Sequence, residues 1–140
     1  MTRFLILIAS AFLMATASLC WMLGAYLPGA TLPSIFFGLT PILKLMAIAI
    51  VILAGVGAVG GLSRNVRRVR KAAILTIALG ALGAAYGELN THLGMLIDNV
   101  VTFATMAPGR IDSLAILSLG LFGAVLGLGL LQLKVSVRRD

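Results

Sequence analysis

The chain has 140 residues, of which 61% are hydrophobic and only 11% charged, with 16 glycines and a formal charge of +7. A charged fraction far below the quarter carried by ordinary soluble domains excludes a water-facing globule, and the length allows one domain. Glycine lowers helix stability in water but lets membrane helices approach closely, so the composition points to an all-α integral membrane protein with lipid as its first partner.

The first apolar run covers about residues 4–27 and stops at Pro28 and Gly29. Arg3 before an apolar stretch with Ala15 and Ala17 has the outline of a signal peptide. The run extends through Trp21 to about Tyr26, long enough to span, and reads as an uncleaved first helix. Cys20 is the single cysteine and excludes an intrachain disulfide; it reads as a small hydrophobic side chain of the core. The second run, from about Ile35 to Leu62, holds Pro41 and Lys44 near its start, and its spanning part is expected over 42–62.

Arg64, Arg67, Arg68, Arg70 and Lys71 follow as one basic loop over 63–71. Such a cluster between apolar runs is first a topology signal rather than a nucleic-acid site, and second a place for lipid headgroups. A third span is expected over 72–91 and a fourth over 114–133, with Asp112 or Ser113 suited to capping the last helix. Arg3, the five loop residues, Lys134, Arg138 and Arg139 together make nine of the eleven Lys and Arg. Placing all nine on the cytoplasmic side gives a four-helix bundle with both termini in, and compact hairpins suggest a bacterial inner membrane. Glycine pairs at four-residue spacing, Gly57 and Gly61, Gly83 and Gly87, Gly123 and Gly127, mark close helix crossings within one chain or between subunits.

The residues able to carry chemistry gather at the outer ends of helices three and four. At about 100° per residue, Glu88, Thr91, His92, Asp98, Asn99, Thr102 and Thr105 share one arc, opposite Leu89, Leu93, Leu96, Ile97, Val100, Phe103 and Ala104. Residues 88–106 therefore read as an amphipathic segment ended by Pro108 and Gly109. It either extends helix three to about 50 Å or bends onto the outer membrane surface. Its polar face then meets water, lines a water-filled path or grips a partner.

Lys44 lies twenty residues before Arg64, and Glu88 seventeen after Lys71, so both sit about 25–30 Å from the basic loop. Two readings follow, a Lys44–Glu88 ion pair near the outer interface or a Lys44 that snorkels alone. His92, one turn beyond Glu88, is placed to pair with its carboxylate. Lys44, Glu88, His92, Asp98 and Thr102 thus form the candidate ion-pair or proton path. One histidine and one cysteine give no metal or haem ligand set, and no nucleophile–base pair, phosphate loop or nucleic-acid motif is present, so the expectation is no cofactor and no enzyme activity.

Leu119-Gly120-Leu121-Phe122-Gly123-Ala124-Val125-Leu126-Gly127 resembles the Gly-Leu-Phe-Gly-Thr-Val-x-Gly helix of the MotA/TolQ/ExbB proton-channel family, and Ala104-Thr105-Met106-Ala107-Pro108 resembles its Ala-Thr-x-x-x-Ala-Pro lead-in. The likeness covers about thirty residues. It implies an oligomeric stator that passes protons together with a partner whose membrane helix carries an aspartate. The family's pore threonine corresponds to Ala124, the Pro108–Gly120 interval is about nine residues longer, and the family's long cytoplasmic helices have no counterpart, so no pore residue carries over. The function expected is that of a non-enzymatic subunit assembling with itself or another membrane protein, with a proton- or ion-conducting subunit as the alternative.

Overall fold

In the computed structural model, which describes residues 2–97 and 102–136, α1 (Thr2–Tyr26) ends where Pro28 and Gly29 turn the chain, Gly29 adopting a φ of +92° that suits glycine. A seven-residue α2 (Leu32–Gly38) follows. Thr31 and Ser34 cap it reciprocally in a capping box, and Pro33 sits in its first turn. Pro41 then forces Thr40 into extended backbone, which separates α2 from α3 (Pro41–Leu62). The two turns of Leu32–Gly38 are therefore a short helix before Pro41 rather than part of the second span, with Phe37 largely exposed, and Cys20 on α1 is exposed too rather than a core side chain.

The basic loop is a tight turn. Arg64 takes a positive φ of 56°, Asn65 donates its backbone N–H to the Gly60 carbonyl, and its side chain caps α4 by accepting from the Arg68 N–H. From there α4 (Val66–Ile97) runs without a break for 32 residues, about 48 Å. The segment after Gly87 thus extends the third span instead of bending onto the surface.

The last helix differs most from expectation. α5 spans Phe103–Ser136 with Pro108 inside it, so Pro108 and Gly109 do not end a helix, and neither Asp112 nor Ser113 caps one. The carbonyl that Pro108 leaves without a donor belongs to Ala104, which is exposed at the helix start. Tertiary packing supplies what local propensity withholds: Ala107 and Ile111 are buried against Leu19 and Met22 of α1, and Gly109 lies directly beneath Thr91 of α4. Ser113 is buried, and its hydroxyl donates to the Gly109 carbonyl.

α5 is the central helix, packed against α1, α3 and α4, while α3 also packs on α4. Val69 and Ala73 of α4 meet Ile8 and Ala15 of α1 across Leu121, Ala124 and Leu128 of α5, and Ile116 joins Leu43, Ala47 and Ile50 of α3. The glycines permit these contacts: a Cβ on Gly57 would lie 3.3 Å from the Ala72 Cβ, one on Gly61 2.9 Å from the Gly127 carbonyl oxygen, and one on Gly123 3.0 Å from the Ala54 Cβ. Gly83 and Gly87 receive the Ile116 and Ser113 side chains, and Gly127 lies against the backbone of Gly57. All six glycines lie against neighbouring helices of the same chain. The structure is all-helical among the described residues, and four helices, α1, α3, α4 and α5, are long and apolar enough to cross a membrane.

Candidate functional site

Packing fixes the heights of the outer charges. Ser113 meets Gly87, which sets Asp112 level with Glu88, and Gly83 meets both Ile116 and the Met46 sulfur, which sets Lys44 within about one helical turn of that level. Arg110 lies two residues farther out on α5. Lys44, Glu88, Arg110 and Asp112 therefore form a charged girdle at one end of the bundle.

The girdle is divided by helix faces. Tyr86 packs on the α3 cluster. Glu88, about 200° farther round α4, points away from α3 and Lys44. Its ion pair is with Arg110, Nε to Oε2 at 4.0 Å, and both side chains are about two-fifths exposed. Of the two readings for Lys44, the pair with Glu88 is absent among the described residues, because the two share a depth but not a face. An exposed pair at this separation contributes at most about 1 kcal/mol. The Arg110 guanidinium also sits 5.3 Å from the Phe103 ring centroid, and Phe103 stacks at 5.3 Å on Tyr26, which meets Trp21 at 6.4 Å. Cation and aromatic rings of this kind collect at a membrane–water boundary.

His92 bonds not to the Glu88 carboxylate but to its backbone carbonyl, with Nδ1 donating at 2.8 Å. Thr102 precedes α5, where its backbone N–H and carbonyl both engage the Thr105 hydroxyl. Asp98 lies outside the described residues. The four described candidates are thus not gathered around one cavity: Lys44 and Glu88 face apart, and Thr102 helps begin a helix. Asp112, read from sequence as a cap, instead shares a side of α5 with Ile116 and Leu119, four and seven residues on, both packed toward α3.

At the opposite end the basic residues hold the α3–α4 turn to α5. Arg64 donates to the Lys134 carbonyl at 3.3 Å, and the Lys134 ammonium bonds the Leu62 carbonyl. Arg67, Arg68, Arg70 and Lys71 are exposed on the first turns of α4.

A further feature lies on the outward face of α4, away from α5. Leu75, Leu82, Leu89 and Leu96 recur at seven-residue intervals and are 50, 59, 59 and 82% exposed, with exposed Ala78 and Ala85 between them. A strict seven-residue repeat keeps one seam along a helix that supercoils with a neighbour. The spacing is present in the sequence, where Leu89 and Leu96 fall on the apolar side of the amphipathic segment. Only the location of α5 shows that the whole stripe is uncovered in the single chain.

No family model matches the chain, and no curated protein or solved structure matches it.

Proposed function

We propose that this chain is a non-enzymatic membrane subunit that acts by helix–helix assembly, with a second copy or another membrane protein seated on the outward face of α4. The observation that carries this reading is the exposed leucine repeat. Within lipid an exposed leucine needs no explanation, because a neighbouring helix is no more apolar than acyl chains. The repeat, however, runs 21 residues from Leu75 to Leu96, about 32 Å. Leu96 lies about 12 Å beyond the Glu88 charge level, where water rather than lipid would meet it. Small alanines between the leucines let a second backbone come close.

The test is mass in a mild detergent. Wild type is expected to run as a complex larger than the 14.6 kDa chain, and Ala78→Phe with Ala85→Phe to reduce it to single-chain mass. Unfolding stability should stay within about 0.5 kcal/mol, as for surface changes elsewhere. A wild type that is single-chain in both detergent and cross-linked membranes overturns the proposal.

The conducting alternative rests on the charged girdle and on the resemblance to proton-channel helices. Against it, residues 45–62, 72–87 and 113–133 hold no Asp, Glu, His, Lys or Arg, so this chain offers no titratable relay through its inner two thirds. Conduction would need groups from a partner, and proton flux into liposomes holding this chain alone would favour the alternative.

The orientation we propose puts the α3–α4 turn in the cytoplasm of a bacterial inner membrane, following the nine basic residues. With Cys20 replaced by Ala, cysteines placed one at a time at Thr31, the N-cap of α2, and at Ser63, the C-cap of α3, both exposed, are expected to label from opposite sides with an impermeant reagent. Labelling of both from one side overturns the four-span topology.

A further inference from the structure

The cations on the first turns of α4 have no counter-charge in the described chain. The described carboxylates, Glu88 and Asp112, belong to the girdle at the far end, and the one ion pair within 4.0 Å among the described residues is Glu88–Arg110. Arg67 and Lys71 stand one turn apart on the same side of α4, where residues four apart are neighbours. The surface on either side of them is hollowed.

Between α3 and α4 a hollow of about 370 Å³ has Arg67, Arg68 and Lys71 at its rim and Leu53, Val56, Ala72 and Leu75 along its walls. On the other side of the same two cations a second, open hollow lined by α4 alone runs from Val66 past Arg70 to Ile74. Each hollow passes from cationic to apolar in the direction in which a lipid passes from headgroup to chain. A free phosphate would use only the rim and leave the apolar walls empty.

We infer that this end of the protein binds one anionic diacyl phospholipid, its phosphate bridging Arg67 and Lys71, with one acyl chain in the α3–α4 hollow and the other along Ile74. The walls match the chains, the rim matches the phosphate, and the ridge between the hollows matches the point where the two chains diverge. The site is separate from the outer half of the leucine seam.

The test is titration of delipidated full-length protein in mild detergent with phosphatidylglycerol or phosphatidylcholine, read as thermal stabilisation and as lipids retained in native mass spectrometry. Phosphatidylglycerol is expected to stabilise and phosphatidylcholine not. Arg67→Gln with Lys71→Gln should weaken binding about 25-fold, from about fivefold per cation near an anionic surface. Val56→Trp, which fills the α3–α4 hollow and leaves every charge in place, should weaken it as well, while Arg67→Lys with Lys71→Arg should retain it. Equal response to both lipids, or undiminished binding by the Gln variant, overturns the inference. So does glycerol 3-phosphate competing at the concentrations at which the lipid binds, since the chains would then contribute nothing. Should a variant fail to fold, the headgroup preference of wild type decides alone. Ala85→Phe alone, ten residues along α4 from Leu75 of the hollow, should leave this binding unchanged, so the two proposals fail separately.

Discussion

Gly120→Leu is expected to abolish the folded bundle. A Cβ at this position would stand 2.5 Å from the Thr76 carbonyl oxygen and 2.9 Å from the Gly80 Cα, so the obstacle is backbone and cannot rotate aside. α4 and α5 would have to separate, and with them the cores on both sides of α5, which packs on the three other long helices. Overpacking a well-filled site costs about 1–3 kcal/mol even where side chains can adjust. Here the smaller Gly120→Ala should already reach that range, despite the roughly 1 kcal/mol that alanine gains over glycine in a helix. Gly129→Leu is the control, since nothing lies within 4 Å of a Cβ there, and it should fold as wild type or better. The measurement is thermal unfolding in detergent followed by near-ultraviolet circular dichroism and elution volume. A Gly120→Leu protein that unfolds at the wild-type temperature would mean that α4 and α5 do not cross at these glycines.

The second large effect is a rescue. Ile116 presses its Cγ2 into the space above Gly83, and it is fully buried between α3 and α4. Gly83→Ala alone should cost about 1–3 kcal/mol by overpacking. Ile116→Ala alone should cost toward the lower end of about 2–5 kcal/mol, because leaving lipid gives a side chain little transfer energy and the loss is chiefly of packing contacts. Together the two substitutions exchange knob and hole, since the new Cβ at residue 83 occupies the space vacated by Cγ2. The double variant should therefore lose less than the sum of the single losses, by about 0.5–3 kcal/mol for residues in direct contact. Stability of the four proteins in one detergent supplies the cycle. Simple additivity would show that Ile116 does not seat on Gly83.

Much of the architecture is legible in residues 1–87 because each boundary has a local chemical cause. Pro28 and Gly29 turn the chain, Pro41 restricts Thr40, and the Arg64–Lys71 cluster interrupts two apolar runs. Residues 108–113 depart from expectation for the complementary reason. Pro108-Gly109 is a strong local stop, and Asp112-Ser113 a plausible cap, yet α5 runs through both since Ala107, Ile111 and Ser113 find burial against α1 and α4. The Lys44–Glu88 pair failed in a similar way. Sequence spacing gives depth along a helix, but the side on which a neighbour stands comes from packing, and Arg110 is the residue that packing brings to Glu88.

By itself the sequence determined an all-helical chain with four apolar runs long enough to span a bilayer, basic residues concentrated at one end and glycines suited to close crossings. Hydropathy, charge distribution and residue size are properties of the chain, and they act whatever the arrangement of the helices. Only the tertiary structure decided that α5 is central, that all six paired glycines are occupied by the chain's own helices, and that the seven-residue leucine repeat is left bare. Which face of a helix is covered is a relation between elements far apart in sequence. The Leu75–Leu96 stripe could not be recognised as exposed until the position of α5 on the opposite side of α4 was fixed by Gly80, Gly83, Gly87 and Gly120.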